Sequence, residues 1–209
     1  MTPHSRIGRL CVITDPQFGF SHDQLARLAC AGGAGMIQFR DKHLLDDEFT
    51  RVALMARDAC REHAVPMIIN DRVEIAREVR ADGVHLGRGD MTVAKARALL
   101  GDEAIIGASA GSADEAREAE DAGADYVGFG HIFATSSKTK ATLPVGLDGL
   151  AAACAAVRIP VIAVGGINAS NAGDVMRAGA WGVAVISAVC AAPDPLAATA
   201  RLRAIIEAK

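Results

Sequence analysis

Eight short apolar segments, each followed by a stretch of helical periodicity, alternate along the whole chain. Leu10-Cys11-Val12-Ile13-Thr14 is the first. Met36 to Arg40, Met67-Ile68-Ile69-Asn70, Gly83-Val84-His85-Leu86 and Ile105-Ile106-Gly107-Ala108-Ser109 follow. Tyr126-Val127-Gly128-Phe129-Gly130, Pro160-Val161-Ile162-Ala163-Val164 and Gly182-Val183-Ala184-Val185-Ile186 complete the set. Runs of this length, rich in Val and Ile, read as strands buried on both faces. Between them, helices are expected over Asp23–Cys30, Asp47–His63, Val73–Val79, Thr92 through Leu100, Ala113–Ala122, Leu147–Val157, Ser170–Ala178 and Pro195–Glu207. The punctuation agrees: Gly32-Gly33 and Gly101 stop helices, and Pro66 blocks the continuation of another. Thr92 is placed to cap one helix, and Ser112 with Glu115 to form a capping box on the next.

A strand that is always followed by a helix gives a parallel sheet wrapped in helices. Eight such units point to a closed (β/α)8 barrel of the TIM type, class α/β; a doubly wound open sheet is the alternative that the count disfavours. Internal near-repeats support the barrel: Ala81-Asp82-Gly83-Val84, Gly123-Ala124-Asp125-Tyr126-Val127 and Gly179-Ala180-Trp181-Gly182-Val183 each feed a helix end into a strand. No linker or low-complexity stretch divides the 209 residues, so residues 1–209 read as a single domain. Apolar residues are 51% and aromatics 4%, which suits a core of Ala, Val, Ile and Leu.

The net charge of −3 offers no global field for nucleic acid or an anionic membrane. No apolar run is long enough to span a bilayer, and the first residues lack a signal-peptide stretch, so a cytoplasmic protein is expected. Cys11, Cys30, Cys60, Cys154 and Cys190 are odd in number and contain no Cys-x-x-Cys pair. They read as structural thiols in a reducing compartment.

Active sites of such barrels sit at the C-terminal strand ends. There the chain collects Gln38-Phe39-Arg40-Asp41-Lys42, Asn70-Asp71, Asp90, Ser109, Thr135-Ser136-Ser137-Lys138, Gly165-Gly166 and Ile186-Ser187. Gln38 and Arg40, two apart on an extended chain, point to the same side. Arg40, Lys42 and Lys138 could neutralise a diphosphate, Arg bidentately and Lys as a point charge. Asp71 and Asp90 could together hold one Mg²⁺ and leave positions for water and phosphate oxygens. Each also has a structural alternative: Asp90 could pair with Arg88 or cap the helix near Thr92, and Asp71 could pair with a nearby arginine. Gly165-Gly166 and the turn at Ile186-Ser187 fit a backbone phosphate site after strands seven and eight. His85 is open between a packed barrel-layer residue and a catalyst; His131 could enter the site. No Ser-His-Asp or Cys-His arrangement is visible. The inventory suits a magnesium-bound phosphate ester.

In order along the chain, Gln38-Phe39-Arg40-Asp41-Lys42, Ile69-Asn70-Asp71-Arg72, Asp82-Gly83-Val84-His85-Leu86-Gly87 with Asp90, Gly107 with Ser109, Gly123 to Gly130 and Ala163-Val164-Gly165-Gly166-Ile167 resemble the thiamine phosphate synthase family. The resemblance implies a (β/α)8 barrel that is a transferase. It would join 4-amino-2-methyl-5-hydroxymethylpyrimidine diphosphate to 4-methyl-5-hydroxyethylthiazole phosphate, giving thiamine phosphate and pyrophosphate. It also implies that the pyrimidine diphosphate is held by Gln38 through Lys42 and Asn70, with Ser109 on the diphosphate and Mg²⁺ on Asp71 and Asp90. Thr135, Ser136, Ser137, Gly166, Ile186 and Ser187 would take the thiazole phosphate, and Lys138 the leaving group. Arg40, Lys42, Ser109 and Lys138 would carry the catalysis. Partners would be these small molecules, with neither nucleic acid nor membrane, and a homo-oligomer is left open.

The chain departs from the family at two places. Ala110-Gly111 stand where a Thr-His type pair is usual, and His131 and Ala134 stand where proline is usual. A histidine near position 131 is typical of the related thiazole tautomerases (TenI-like), whose catalytic histidine would fall at Gly111. A tautomerase and a non-catalytic binder of thiamine precursors are therefore the alternatives.

Overall fold

Strand and helix alternate in the computed structural model as the pattern requires; it describes residues 6–134 and 143–208. The strands are β1 (Leu10–Ile13), β2 (Met36–Phe39), β3 (Met67–Asn70), β4 (Gly83–Leu86), β5 (Ile105–Ala110), β6 (Tyr126–Gly130), β7 (Val161–Val164) and β8 (Gly182–Val185). They pair in parallel in sequence order, and β8 closes on β1. The helices are α1 (His22–Ala31), α2 (Asp46–Glu62), α3 (Val73–Glu78), α4 (Val93–Leu100), α5 (Ala113–Asp121), α6 (Gly146–Ala156), α7 (Ala172–Arg177), α8 (Ser187–Cys190) and α9 (Pro195–Glu207). The closed (β/α)8 barrel is thus the fold. Thr135, Ser136, Ser137 and Lys138 lie outside the described residues.

The helices form for local reasons. In α2, Asp46, Asp47 and Glu48 occupy the first turn, where the helix dipole favours negative charge. Its buried Phe49, Ala53, Ala56 and Cys60 recur at three- and four-residue steps and face the sheet. In α9, Pro195 sits at the first turn and the Asp194 side chain accepts from the Ala197 N–H at 3.0 Å. Thr92 caps α4 as expected. The capping box expected at Ser112 is only half formed: Ser112 accepts from the Glu115 N–H, but the Glu115 carboxylate bonds the Gly111 N–H and Arg88 instead. A reciprocal bond that the sequence reading did not name occurs at α1, where the Gln24 side chain accepts from the Ser21 N–H. The short α8 was also unforeseen, because four residues leave no periodicity to read.

The near-repeats have a structural job. Asp82 accepts from the Met67 N–H at the start of β3, and Asp125 accepts from the Ile106 N–H in β5. Each aspartate thus ties the chain leading into its own strand to a neighbouring strand. At the third repeat Trp181 takes the place, and its indole N–H donates to the Ile7 carbonyl. The five cysteines are free thiols; all are buried except Cys154, which is half-buried. Burial pushes Cys11 and Cys190 up to about 12 and raises Cys60 and Cys154 as well, with the Cys30 hydrogen bond the larger cause at Cys60. These four thiols stay protonated at neutral pH. Among the described residues, no helix is long and apolar enough to cross a membrane.

Candidate active site

Alternation along β2 sorts its residues. Gln38 points into the barrel and its side chain reaches the Tyr126 hydroxyl on β6. Phe39 points the other way. Its ring is fully buried between His22 of α1, at 4.3 Å, and Phe49 of α2, which meets it edge-on at 4.7 Å. The Phe39 ring therefore anchors β2 to the helices and leaves only its backbone toward the mouth. Asp41 lines the same cleft as Arg40 and Lys42 and also has a structural task. Its carboxylate accepts from the His43 and Leu44 N–H groups and meets His22 Nε2 at 3.1 Å, so it folds the loop after β2. Burial opposes ionisation of Asp41, yet these bonds hold its pKa below the ordinary carboxylate value. Burial holds His22 below its ordinary value, with Asp41 opposing.

Arg40 and Lys42 ride on that loop, in a cleft of about 510 Å³ lined by Asp15, Gln17, Arg40, Lys42 and His43. The loop is pinned from its far side by Arg72. That guanidinium lies 4.2 Å from the Phe49 ring centre, donates to the Leu44 carbonyl and pairs with Asp46, both at 2.8 Å. Arg40 differs in kind: its Nε is buried and has no hydrogen-bond partner among the described residues. An unsatisfied buried donor costs about 1–3 kcal/mol, and more when charged, so such an atom is explained by something that binds there.

Asp71 follows β3 in a left-handed conformation, φ 64°, which aspartate tolerates better than most side chains. The turn brings its carboxylate into hydrogen-bonding reach of Asp90. Neither structural alternative holds. Arg88 pairs with Glu115, Arg72 pairs with Asp46, and Thr92 caps α4. Asp90 also accepts from the Gly87 N–H at 2.6 Å, which fixes its loop. Burial, and then the neighbouring Asp90 carboxylate, raise the Asp71 pKa, while the Lys42 charge and an Asn70 bond pull it down. Two hard oxygen donors facing each other with no arginine between them suit Mg²⁺, which keeps waters and takes phosphate oxygens for its other positions. The pair fits the metal that the sequence implied.

Below this rim the barrel interior is polar. His85, on β4, meets the Tyr126 hydroxyl through Nδ1 at 3.0 Å and the Ser109 hydroxyl through Nε2 at 2.9 Å. Ser109 is exposed at the mouth, and Asn70 is the register partner of His85. Gln38, Asn70, His85, Ser109 and Tyr126 thus come together under Arg40, Lys42, Asp71 and Asp90.

Gly165 and Gly166 both take positive φ, 102° and 67°. A Cβ at either would strike the segment after β6: one at Gly165 would lie 2.3 Å from His131 Cβ, and one at Gly166 would lie 2.5 Å from the Ala134 carbonyl oxygen. The glycine pair therefore lets that segment cross the end of β7. His131 is buried in this packing. The side chain of Ile186 is buried and Ser187 is exposed at the start of α8. Asn171, which the sequence reading did not single out, holds the β7–α7 turn by donating to the Gly166 carbonyl and accepting from the Asn168 N–H. Gly111 donates its N–H to Glu115 at 2.6 Å and offers no imidazole to the mouth.

Sequence reasoning missed His22, Arg72 and Tyr126 as individuals. Gly107 and Gly128, glycines inside adjacent strands, were the available signal for Tyr126 and His85, because strand glycines mark a close approach.

A family model described as thiamine monophosphate synthase matches residues 10–189. The thiamine-phosphate synthase of Chloroflexus aurantiacus is 50% identical over 200 residues, covering 95% of this chain and 92% of the relative. That of Moorella thermoacetica is 51% identical over 183 residues, covering 88% and 87%. A thiamine phosphate pyrophosphorylase structure from Pyrococcus furiosus superposes with a TM-score of 0.87 at 42% identity over 95% of both chains. A geranylgeranylglyceryl phosphate synthase from Thermoplasma acidophilum, 18% identical with a TM-score of 0.70 over 95% of this chain and 92% of its own, shares the fold.

Proposed function

From the premise that this chain belongs to the thiamine monophosphate synthase family, we propose that the barrel joins 4-amino-2-methyl-5-hydroxymethylpyrimidine diphosphate to 4-methyl-5-hydroxyethylthiazole phosphate. The products are thiamine phosphate and pyrophosphate. The observation that carries the reading is the buried Nε of Arg40, without a partner among the described residues, at a mouth that also holds the facing Asp71 and Asp90 carboxylates. A guanidinium nitrogen without a partner among the described residues, at one barrel mouth with paired acids, suits an anion that arrives with a divalent metal.

The C–O bond to the pyrimidine methylene breaks, and its electron pair leaves with pyrophosphate. The ring, through its amino nitrogen, spreads the positive charge that develops on the methylene carbon. The lone pair of the thiazole nitrogen then forms the new C–N bond. Protein nucleophiles have no part in this, which agrees with thiols that burial keeps protonated. The chain's contribution is alignment and charge. Gln38 and Asn70 present polar atoms to the pyrimidine. Arg40, Lys42 and Ser109 would bind the diphosphate, and Lys138 would neutralise the departing pyrophosphate. Thr135, Ser136, Ser137, Gly166 and Ser187, with the Ile186 backbone, take the thiazole phosphate. Mg²⁺, held by Asp71 and Asp90, would neutralise diphosphate oxygens and so ease departure of the leaving group. Removing one such preorganised contact lowers kcat by about 10²–10³. The whole of 1–209 acts as one barrel domain in the cytoplasm, where free thiols persist.

Purified protein given both substrates and Mg²⁺ should release pyrophosphate, and should stop when either substrate or the metal is withheld. Release of pyrophosphate that is indifferent to EDTA would remove the metal assignment. A metal-independent isomerisation of the thiazole, without pyrophosphate, would favour the tautomerase; the absence of an imidazole at Gly111 stands against that outcome.

A further inference from the structure

Four polar side chains from four strands join across the barrel interior beneath the mouth. Tyr126 of β6 meets His85 Nδ1 of β4 at 3.0 Å, His85 Nε2 meets Ser109 Oγ of β5 at 2.9 Å, and Gln38 of β2 lies on the far side of the Tyr126 hydroxyl. The chain shapes its backbone to admit this line. A Cβ at Gly107 would lie 2.1 Å from the Tyr126 ring, and one at Gly128 would lie 2.6 Å from the His85 imidazole. Each glycine sits within a strand, where it weakens pairing, so it serves the close approach of the ring beside it.

Hydrogen-bond polarity limits what such a line can do. A neutral imidazole donates through one nitrogen and accepts through the other. In one state the Gln38 amide donates to the phenol oxygen, the phenol O–H donates to Nδ1, and Nε2–H donates to Ser109 Oγ. The Ser109 proton is then directed away from the imidazole. In the reverse state Ser109 donates to Nε2, Nδ1–H donates to the phenol oxygen, and the phenol O–H donates to the Gln38 carbonyl oxygen. Ser109 then offers its surroundings lone pairs only. A phosphate oxygen accepts and cannot donate, so only the first state lets Ser109 bond to it.

We infer that His85 is a positioning residue: accepting from the Tyr126 hydroxyl at Nδ1, it holds the Nε2–H tautomer and turns the Ser109 hydroxyl proton outward onto an anionic phosphate oxygen. The inference rests on the transferase reading, which places Ser109 against the diphosphate. It adds to that reading a device, spread over four strands, that makes Ser109 a donor. Binding of a dianionic phosphate group selects one polarity for the whole line.

Imidazole ¹⁵N spectroscopy of the full chain reads the tautomer directly, with the His85 signals assigned by their loss in His85→Gln. With Mg²⁺ and inorganic pyrophosphate present, wild type should hold His85 neutral and protonated at Nε2. Tyr126→Phe, which keeps the ring and removes the hydroxyl, should lose that preference. In turnover, His85→Leu should lower kcat about 10–100-fold, the range for a lost hydrogen bond to a charged group, with little change in KM for the thiazole phosphate. His85→Gln can accept from Tyr126 and donate to Ser109, and should recover most of the loss. A Nδ1–H tautomer in the pyrophosphate complex, or wild-type kcat in a folded His85→Leu, would overturn the inference. Should His85→Leu not fold, Tyr126→Phe decides by the same two readouts. If wild type bound pyrophosphate yet released none from the substrates, the transferase reading would fail, and the tautomer measurement would still decide the role of His85.

Discussion

Asp71→Asn should stabilise the metal-free protein and abolish its metal response. In the folded chain the Asp71 carboxylate is half-buried and faces Asp90, and both effects raise its pKa. Two unit charges at about 4 Å interact by about 4 kcal/mol at an effective dielectric of 20 and by about 1 kcal/mol in bulk water. Asp90 is exposed and Asp71 only partly covered, so screening puts the repulsion near the lower figure, about 1 kcal/mol. An amide at position 71 removes it and can donate to Asp90. For a chain of this size 1 kcal/mol moves Tm by about 2–4 °C. The sign with pH follows from the raised pKa. The native state holds the Asp71 proton more tightly than the unfolded chain does, so the wild-type carboxyl is no burden below about 3.8, the unfolded value. Stability is lost as pH rises through the higher native pKa. The advantage of the variant should therefore be small near pH 4 and complete by pH 7. Calorimetric melts in EDTA across that range measure it, and a second series with Mg²⁺ and pyrophosphate should raise Tm in wild type alone. A variant that melts at or below wild type at pH 7 in EDTA, or a gap that ignores pH, would refute the facing-carboxylate account.

Phe49→Ala removes the ring that packs on Phe39 and under Arg72, and should cost about 3–5 kcal/mol in a denaturant melt, as for other buried aromatic truncations. Arg72→Ala should unpin the loop that carries Arg40 and Lys42; calorimetry should show pyrimidine diphosphate binding about tenfold weaker, the scale of one charged hydrogen bond, with thiazole phosphate binding unchanged. The pKa of His22 is lowered by burial against the pull of Asp41, Asp15 and Asp23, so its contribution to stability is present above its unfolded value of 6.5 and lost as pH falls through the native one. His22→Gln should therefore flatten the acid limb of a Tm–pH curve, and an unchanged limb would count against it. Lys138→Ala should lower kcat by about 10²–10³ with Tm unchanged, read by pyrophosphate release.

The barrel was legible because its signal is long-range and redundant. Eight buried strands, each bounded by glycine or proline, leave few ways to pair, and errors at helix ends do not change the closure. Asp71 and Asp90 were legible as chemical types at strand ends. Their freedom from Arg72 and Arg88 was not, because Asp46 and Glu115 lie far from those arginines in any local pattern. The packing of the Phe39 and Asp41 side chains was not legible for a complementary reason. Adjacency to Gln38 and Arg40 suggested a shared task, whereas strand alternation sends Phe39 to the helices and a turn gives Asp41 to His22. The Tyr126–His85–Ser109 line crosses three strands, so it shows in sequence only as two glycines in unexpected places.

The most direct measurement is anomalous diffraction from crystals grown with Mn²⁺ in place of Mg²⁺, together with pyrophosphate. The expected result is a metal peak between the Asp71 and Asp90 carboxylates, with a diphosphate oxygen on the Arg40 Nε that has no partner among the described residues. A metal bound elsewhere, or a diphosphate that leaves Arg40 Nε without a partner, would contradict the account.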